Sequence, residues 1–503
     1  MPEVLPADEH NLELIAHAHP PDWRNPSPAG RYNLVAIGGG TGGIISALGA
    51  ATLGGRAALV EKHLLGGDCL NYGCVPSKAL IRAARAAYQV TVAGKYGVRV
   101  GGDTSVDFAA VMQRMRRLRA RISHHDSAER FSSLGADVYL GQAKFTGRDA
   151  LEVDGQTLRF HRAVIATGGR AATVKIAGLD DVGYLTNESI FSLTELPRRL
   201  VVIGAGPIGC ELAQAFRRFG SDVHVVDVAD TILSKEDVQA AEIVRRRLEH
   251  EGVHLHLGTS IVRAEKTGNS KSLLLDREGA KSKLLTDEIL LAVGRRPNLE
   301  GLDLEAAGVE YTDKGVTVDD QLRTSNSAIF AAGDVCSKYQ FTHAADAMAR
   351  VAVQNALFPF PKKKVSSLVI PRCTYTDPEI AHVGLTPAEA AAKNIELDGY
   401  RVTLDEVDRA IVDEEDEGFA VVHTRRGSGN IVGATIVAAH AGEMIGEITL
   451  LMTNNLSLGR LAGTIHCYPT QVEVLKRIAD NYSRTRLTPS VAAAIKKWLA
   501  WRR

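Results

Sequence analysis

The chain has 503 residues, too many for one hydrophobic core, so about three domains are expected. Lysine plus arginine equals aspartate plus glutamate at 59 each, and this zero balance argues against nucleic acid or an anionic membrane as partner. Six cysteines are too few for a secreted disulfide framework, and no unbroken apolar run reaches the roughly 18 residues of a spanning helix.

Residues 1–30 are proline-rich and read as an extended N-terminal arm. They lack a basic and apolar leader, so no signal or transit peptide is expected, and a cytoplasmic location is the default. Tyr32–Ile37 reads as a strand, Ile44–Leu53 as a small-residue helix and Ala57–Glu61 as a second strand. Between strand and helix stand Gly38, Gly40 and Gly43, spaced Gly-x-Gly-x-x-Gly. Such glycines let backbone approach a pyrophosphate at a helix N-terminus, and Glu61, 23 residues after Gly38, suits a ribose hydroxyl.

Cys69 and Cys74 follow, in Gly-Gly-Asp-Cys-Leu-Asn-Tyr-Gly-Cys-Val-Pro-Ser-Lys (66–78). A close pair beside a dinucleotide unit suggests a redox-active disulfide facing a flavin. Lys78, one helical turn after Cys74, is a cation that favours its thiolate. The alternatives are a zinc half-site or two unrelated core thiols. No second Cys/His pair stands at zinc spacing, so no structural metal is expected.

Arg162–Gly169 reads as a strand meeting a glycine turn, with Thr167 and Gly168 in it. The dinucleotide pattern then recurs: strand Leu200–Ile203, Gly204, Gly206 and Gly209, a helix through Phe219, and strand Asp222–Asp227 with the acid again 23 residues on. Two such units imply two dinucleotides. Ala328–Asp334 repeats the strand-then-Gly-Asp form, and Asp334 can hold a sugar-alcohol hydroxyl. From about Leu368 the sequence is strand-rich. Its last 17 residues, from Leu487, can form a basic amphipathic helix that either touches lipid or packs on its own dimer.

Taken together, Cys-x4-Cys-Val-Pro-Ser-Lys, Ala-Thr-Gly (166–168), Gly-Arg-Arg-Pro-Asn (294–298), Ala-Ala-Gly-Asp (331–334) and Thr-Asp-Pro-Glu-Ile-Ala-x-Val-Gly (376–384) resemble the class I pyridine nucleotide–disulfide oxidoreductases over roughly 31–482. The run Leu64–Arg85 looks most like the mercuric reductase branch. The resemblance implies an α/β fold with two Rossmann-like domains, for FAD and NAD(P), and a C-terminal α+β interface domain forming a homodimer. It places the arm at 1–30, the FAD domain at 31–185 and 299–364, the NAD(P) domain at 186–298, the interface domain at 365–482 and a tail at 483–503.

It also implies roles. Cys74 is the charge-transfer thiolate and Cys69 the interchange thiol. Lys78 pairs with Glu211 where hydride arrives; the alternative for Glu211 is a solvated helix glutamate. Gly294 belongs to a cofactor motif. Asp334 and the helix starting near His343 hold the flavin ribityl and pyrimidine end, with His343 itself read as structural rather than as an acid or base.

One position departs from the disulfide-reducing members, which carry His-Pro-Thr-x-x-Glu. Here the motif is His466-Cys-Tyr468-Pro-Thr-Gln-Val-Glu473, with Tyr468 in place of the proton-carrying histidine. A phenol of pKa near 10 is no base at pH 7. Poor turnover of glutathione disulfide or dihydrolipoamide is therefore expected. His466 would share the side of Tyr468 in an extended segment, about 7 Å away. Glu473 stands at the histidine-orienting acid.

Mercuric reductases share the tyrosine, and a thiophilic ion needs soft thiolates, here Cys69 and Cys74, rather than a proton relay. They also carry a C-terminal cysteine pair, whereas this chain has no cysteine after Cys467. Cys467 is either a third thiol near the acceptor or a small packing residue; Cys210, Cys336 and Cys373 read as packing residues. Asp227, with no arginine following closely, suits a ribose 2′-hydroxyl and favours NADH over NADPH. The expected activity is NADH oxidation through FAD and Cys69–Cys74 to a small acceptor, most simply a soft metal ion. The rivals are a dihydrolipoyl dehydrogenase and a redox sensor without turnover.

Overall fold

The computed structural model describes residues 3–28, 30–102, 104–268 and 270–503. The chain forms two units, one of residues up to 230 with 251–368, the other of 231–250 with 369–503.

The first unit begins with a correction. The arm is not extended throughout: α1 (Glu9–Ala18) is a helix capped by the Asp8 side chain on the Asn11 N–H. The prolines flank this stretch instead of entering it, which leaves ten residues free to form intrahelical bonds. Leu14 and Ala18 are buried, and Asn11 accepts a 2.6 Å hydrogen bond from Arg119 on the helix Phe108–Ser123.

The first sheet contains β1 (Arg31–Ile37), β2 (Ala57–Glu61), β3 (Ala136–Leu140), β4 (Lys144–Gly147), β5 (Ala150–Val153) and β6 (Gln156–Ile165). Their order is β3-β2-β1-β6-β5-β4, and Ile329–Ala331 also pairs in parallel with β6. Every residue of β2 is buried, as expected of a parallel strand covered on both faces. α2 (Thr41–Thr52) and the helix Thr342–Leu357 cover one face, with Ala47, Ala50, Ala349 and Val353 in a shared core. Tyr32, Phe145 and Phe160 fill the other face. β7 (Gly169–Ala171) leaves this sheet and pairs with Arg295–Pro297.

A second parallel sheet holds β8 (Arg199–Ile203), β9 (Asp222–Val226), β10 (His254–His256) and, after the meander β11 (Ser260–Thr267), β12 (Ser270–Arg277) and β13 (Ala280–Thr286), the strand β14 (Glu288–Leu291). Its order is β10-β9-β8-β14. The same strand–glycine turn–helix–strand plan thus occurs twice, as the sequence repeat anticipates.

The second unit is a five-stranded antiparallel sheet in the order 372–374, 379–384, 431–438, 419–425, 397–403. Helices Ala441–Thr453 and Glu473–Thr485 bury Ile445, Ile448, Leu475 and Ile478 with it. The helix Val238–His250, within the span read as one nucleotide domain, groups with this unit; Arg247 pairs with Glu417 at 2.9 Å and Arg372 with Glu236 at 3.0 Å. The tail forms the helix Pro489–Trp501, with no buried residue. No helix among the described residues is long and apolar enough to cross a membrane.

Candidate active site

The two glycine turns are superimposable in their constraints. Gly38 and Gly204 have φ of +109° and +107°, a region L side chains rarely adopt. A Cβ on Gly43 would lie 1.7 Å from Gly38 O, and one on Gly209 would lie 2.0 Å from Gly204 O. Only glycine lets each helix start this close to its strand. Gly40 and Gly206 stand at the helix N-caps with no side-chain hydrogen bond, so first-turn N–H groups are left for an anion. Nothing lies within 4 Å of a Cβ built on Gly206.

The two acids brace these turns in the same way. Glu61 accepts from the N–H of Gly39 at 2.5 Å and of His63 at 2.6 Å. Asp227 accepts from Ala205 N–H at 2.6 Å and Ala229 N–H at 2.8 Å. Each carboxylate keeps lone pairs for ribose hydroxyls. The donor set and the open turn fit two dinucleotides.

The thiols lie on adjoining helices. Cys69 is on the short helix Gly67–Asn71, and Cys74 is the first residue of the helix Cys74–Val92. Gly73 caps that helix without a side-chain bond, so its first-turn N–H groups favour negative charge at Cys74. Neither cysteine is in a disulfide. Interaction with Cys69, then hydrogen bonding from Thr342 and the charge of Lys78, lowers the Cys74 pKa to about 6. Interaction with Cys74 and burial push Cys69 up. One thiol is thus prepared as an anion and the other as a neutral donor.

Lys78 Nζ lies 2.9 Å from Glu211 Oε2, and the Glu211 side chain is buried on the helix Pro207–Phe219. The solvated-glutamate alternative therefore does not hold. Thr342, missed in the sequence, places Oγ1 3.4 Å from Cys74 Sγ. It opens the helix Thr342–Leu357, and the next residue, His343, stacks its ring on Phe341 at 5.4 Å.

Arg295 was also missed, though it stands in the quoted glycine-arginine motif. Its guanidinium lies 3.2 Å from Asp68 and 3.3 Å from Asp334, and donates to Gly169 O at 2.8 Å. Burial raises the Asp334 carboxyl pKa, and Arg295 opposes that rise. Arg295 therefore ties the residue before Cys69 to the Gly-Asp turn. Thr167 donates to Asn298 O at 2.7 Å, and Asn298 N–H donates to Gly168 O at 3.0 Å. Gly294 has φ +119°, and its carbonyl accepts from Ala172 N–H.

In the second unit, Tyr468 is 71% exposed and donates to Asp408 Oδ2 at 2.8 Å. Glu473 Oε1 accepts from Arg477 at 3.2 Å, while its Oε2 is buried without a hydrogen-bond partner among the described residues. His466 does not share the side of Tyr468. Its side chain is only 5% exposed and meets Glu447 at 3.1 Å, because the segment turns instead of running as a strand. Cys467 is exposed, Cys210 is fully buried, and Cys336 and Cys373 are intermediate.

Residues 32–349 match the model of the pyridine nucleotide-disulphide oxidoreductase family, and 370–479 match its dimerisation domain. A mercuric reductase of Bacillus cereus is 34% identical over 88% of this chain and 70% of its own length. A dihydrolipoyl dehydrogenase of Bacillus subtilis is 32% identical over 89% of this chain and 96% of its own. Among solved structures, the HOCl-induced flavoprotein disulfide reductase RclA from Escherichia coli is 26% identical, with a TM-score of 0.79 over 89% of this chain and 99% of that one. The family binds FAD and a pyridine nucleotide. With two nucleotide turns, a paired thiol site and a dimerisation domain, this chain belongs to the pyridine nucleotide-disulphide oxidoreductases.

Proposed function

We propose that the protein is a homodimeric NADH oxidoreductase that passes electrons through Cys69 and Cys74 to a soft metal ion. The single observation that carries the reading is Tyr468, an exposed phenol bound to Asp408, at the position where disulfide reducers hold an imidazole. Thiophilic ions bind soft thiolates and need no such relay. Mercuric reductases at 32–34% identity support the same choice.

FAD bound at the first turn supplies the two-electron exchange between nicotinamide and thiols. Gly38, Gly40, Gly43 and Glu61 would hold its diphosphate and ribose; Thr167, Gly168, Asp334 and the helix bearing His343 would hold its other end. Gly204, Gly206, Gly209 and Asp227 would hold the nicotinamide dinucleotide, and Gly294 shapes the turn beside Arg295. Lys78 and Glu211 keep a compensated charge pair near the exchange. Cys74 holds the thiolate, and Cys69 meets the acceptor. Glu473, with Arg477, supports the Tyr468 segment.

A dihydrolipoyl dehydrogenase reading is favoured by relatives of that name, including one of Chlamydia muridarum at 31% identity covering 95% of its own length. The test is NADH oxidation by the purified protein with Hg(II) in excess thiol, beside lipoamide and glutathione disulfide, with a Cys69→Ala control. Rapid Cys69-dependent turnover with Hg(II) supports the proposal. Good lipoamide turnover with little on Hg(II) overturns it.

A further inference from the structure

We propose that Asp222, His224 and His254 bind a divalent late first-row transition ion, Zn(II) or Cu(II), with His256 as a positioning residue. These residues lie on β9 and β10, the paired strands at one edge of the second parallel sheet. The register sets His254 directly beside His224, although they are 30 residues apart in sequence. That separation hid the group from any search for short metal-ligand spacing.

The ligand atoms of Asp222, His224 and His254 lie within 4.8 Å of one another. Asp222 Oδ1 is 3.4 Å from His254 Nε2, and Asp222 Oδ2 is 3.5 Å from His224 Nε2. These gaps exceed the roughly 2.7–3.2 Å of a good N–H···O bond. They match the roughly 3.3 Å between ligands of a tetrahedral ion bound at about 2.0–2.1 Å. Two imidazoles and a carboxylate form a donor set suited to zinc or copper, and the late position of copper gives it the higher affinity.

The fourth side chain completes the arrangement. His224 Nδ1 and His256 Nε2 are 2.9 Å apart. With the proton on His224 Nδ1, that ring donates to His256 and turns its Nε2 lone pair toward Asp222 and His254. A ligating histidine characteristically donates its other ring N–H in this manner. The His224 ring stacks on His254 at 4.6 Å and on His256 at 5.2 Å, so all three are held on one face.

The site is separate from the thiols, and the glycine turn that follows β8 lies at the end of the sheet away from Asp222. The site still touches that turn indirectly, because His256 O accepts from the Asp227 N–H at 3.1 Å. An ion linking β10 to β9 would fasten the strand that carries this contact.

The test uses the full-length oxidised holoprotein with its remaining thiols alkylated. Cu(II) is added and followed by electron paramagnetic resonance, and Zn(II) is followed by calorimetry. One site per chain with imidazole-nitrogen splitting is expected. His254→Ala should remove one nitrogen and weaken binding at least about 100-fold, with ferricyanide reduction by NADH unchanged. His254 is 58% exposed on its side chain, so its truncation does not threaten the fold. His256→Gln should weaken binding about 10–100-fold while keeping the nitrogen count, as a positioning role requires. Unchanged stoichiometry and spectrum in His254→Ala and Asp222→Asn, or no site tighter than roughly millimolar in the parent, would overturn the proposal.

Discussion

Tyr468 donates its phenolic proton to Asp408 Oδ2 at 2.8 Å. The bond stabilises the neutral phenol, and the carboxylate charge disfavours the phenolate, so the Tyr468 pKa rises above its ordinary value. The ordinary value, about 10, is already too high for a base at neutral pH. Asp408 therefore strengthens an argument that the tyrosine alone only begins.

Restoring an imidazole should restore proton transfer. Tyr468→His should raise kcat with lipoamide or glutathione disulfide by about 10²-fold, the lower end of what general acid–base catalysis contributes. Unchanged disulfide turnover in Tyr468→His would remove the case against a disulfide acceptor.

The thiol pair gives a pH prediction. A Cys74 pKa of about 6 means that the dithiol protein carries a thiolate at pH 7 and loses it as pH falls through 6. Alkylation of Cys74 by iodoacetamide, followed by mass spectrometry, should slow about tenfold per pH unit below that midpoint. Cys69→Ala and Thr342→Val each remove an interaction that stabilises the anion and should move the midpoint upward. A midpoint near 9 in the parent protein would contradict the geometry.

The pair Lys78–Glu211 is asymmetric, with side chains 36% and 7% exposed. Removing the lysine leaves a buried carboxylate with less compensation, the costlier of the two single losses. Lys78→Met should slow flavin reduction by NADH at least about tenfold in stopped-flow absorbance and lower the unfolding midpoint. Glu211→Gln should slow reduction with a smaller effect on stability. Equal stability losses would mean that the buried carboxylate is compensated elsewhere.

Much of this was legible because the relevant signals are local. Gly38 and Gly204 announce themselves by spacing, and the structure explains the spacing through a carbonyl contact that forbids any Cβ. Cys69, Cys74 and Lys78 lie within ten residues of chain. Thr342 and Arg295 were not legible in the same way. Thr342 reaches Cys74, and Arg295 reaches Asp68, across more than 200 residues, and neither residue type signals a thiol or a carboxylate by itself. The α1 helix was hidden by prolines that flank it, and the inward turn of His466 was hidden because the segment was read as extended.

The last prediction concerns the nicotinamide. Both oxygens of Asp227 are engaged by backbone N–H groups, so the carboxylate is fixed at the end of β9 rather than free to swing away from a phosphate. A 2′-phosphate there would meet a held negative charge, while a 2′-hydroxyl would meet an acceptor. NADH should therefore exceed NADPH in kcat/KM by at least about tenfold. Asp227→Ala should narrow that ratio, mainly by lowering kcat/KM for NADH, since it removes both the ribose acceptor and the brace on Ala205. Gly209→Ala provides the matching control: its Cβ would lie 2.0 Å from Gly204 O, so nicotinamide binding should fail while FAD at the Gly38 turn is retained. Flavin absorbance of the purified variant and its rate of reduction by NADH separate these outcomes. A higher kcat/KM for NADPH in the parent enzyme would mean that another cation answers the phosphate and that Asp227 serves only to brace the turn.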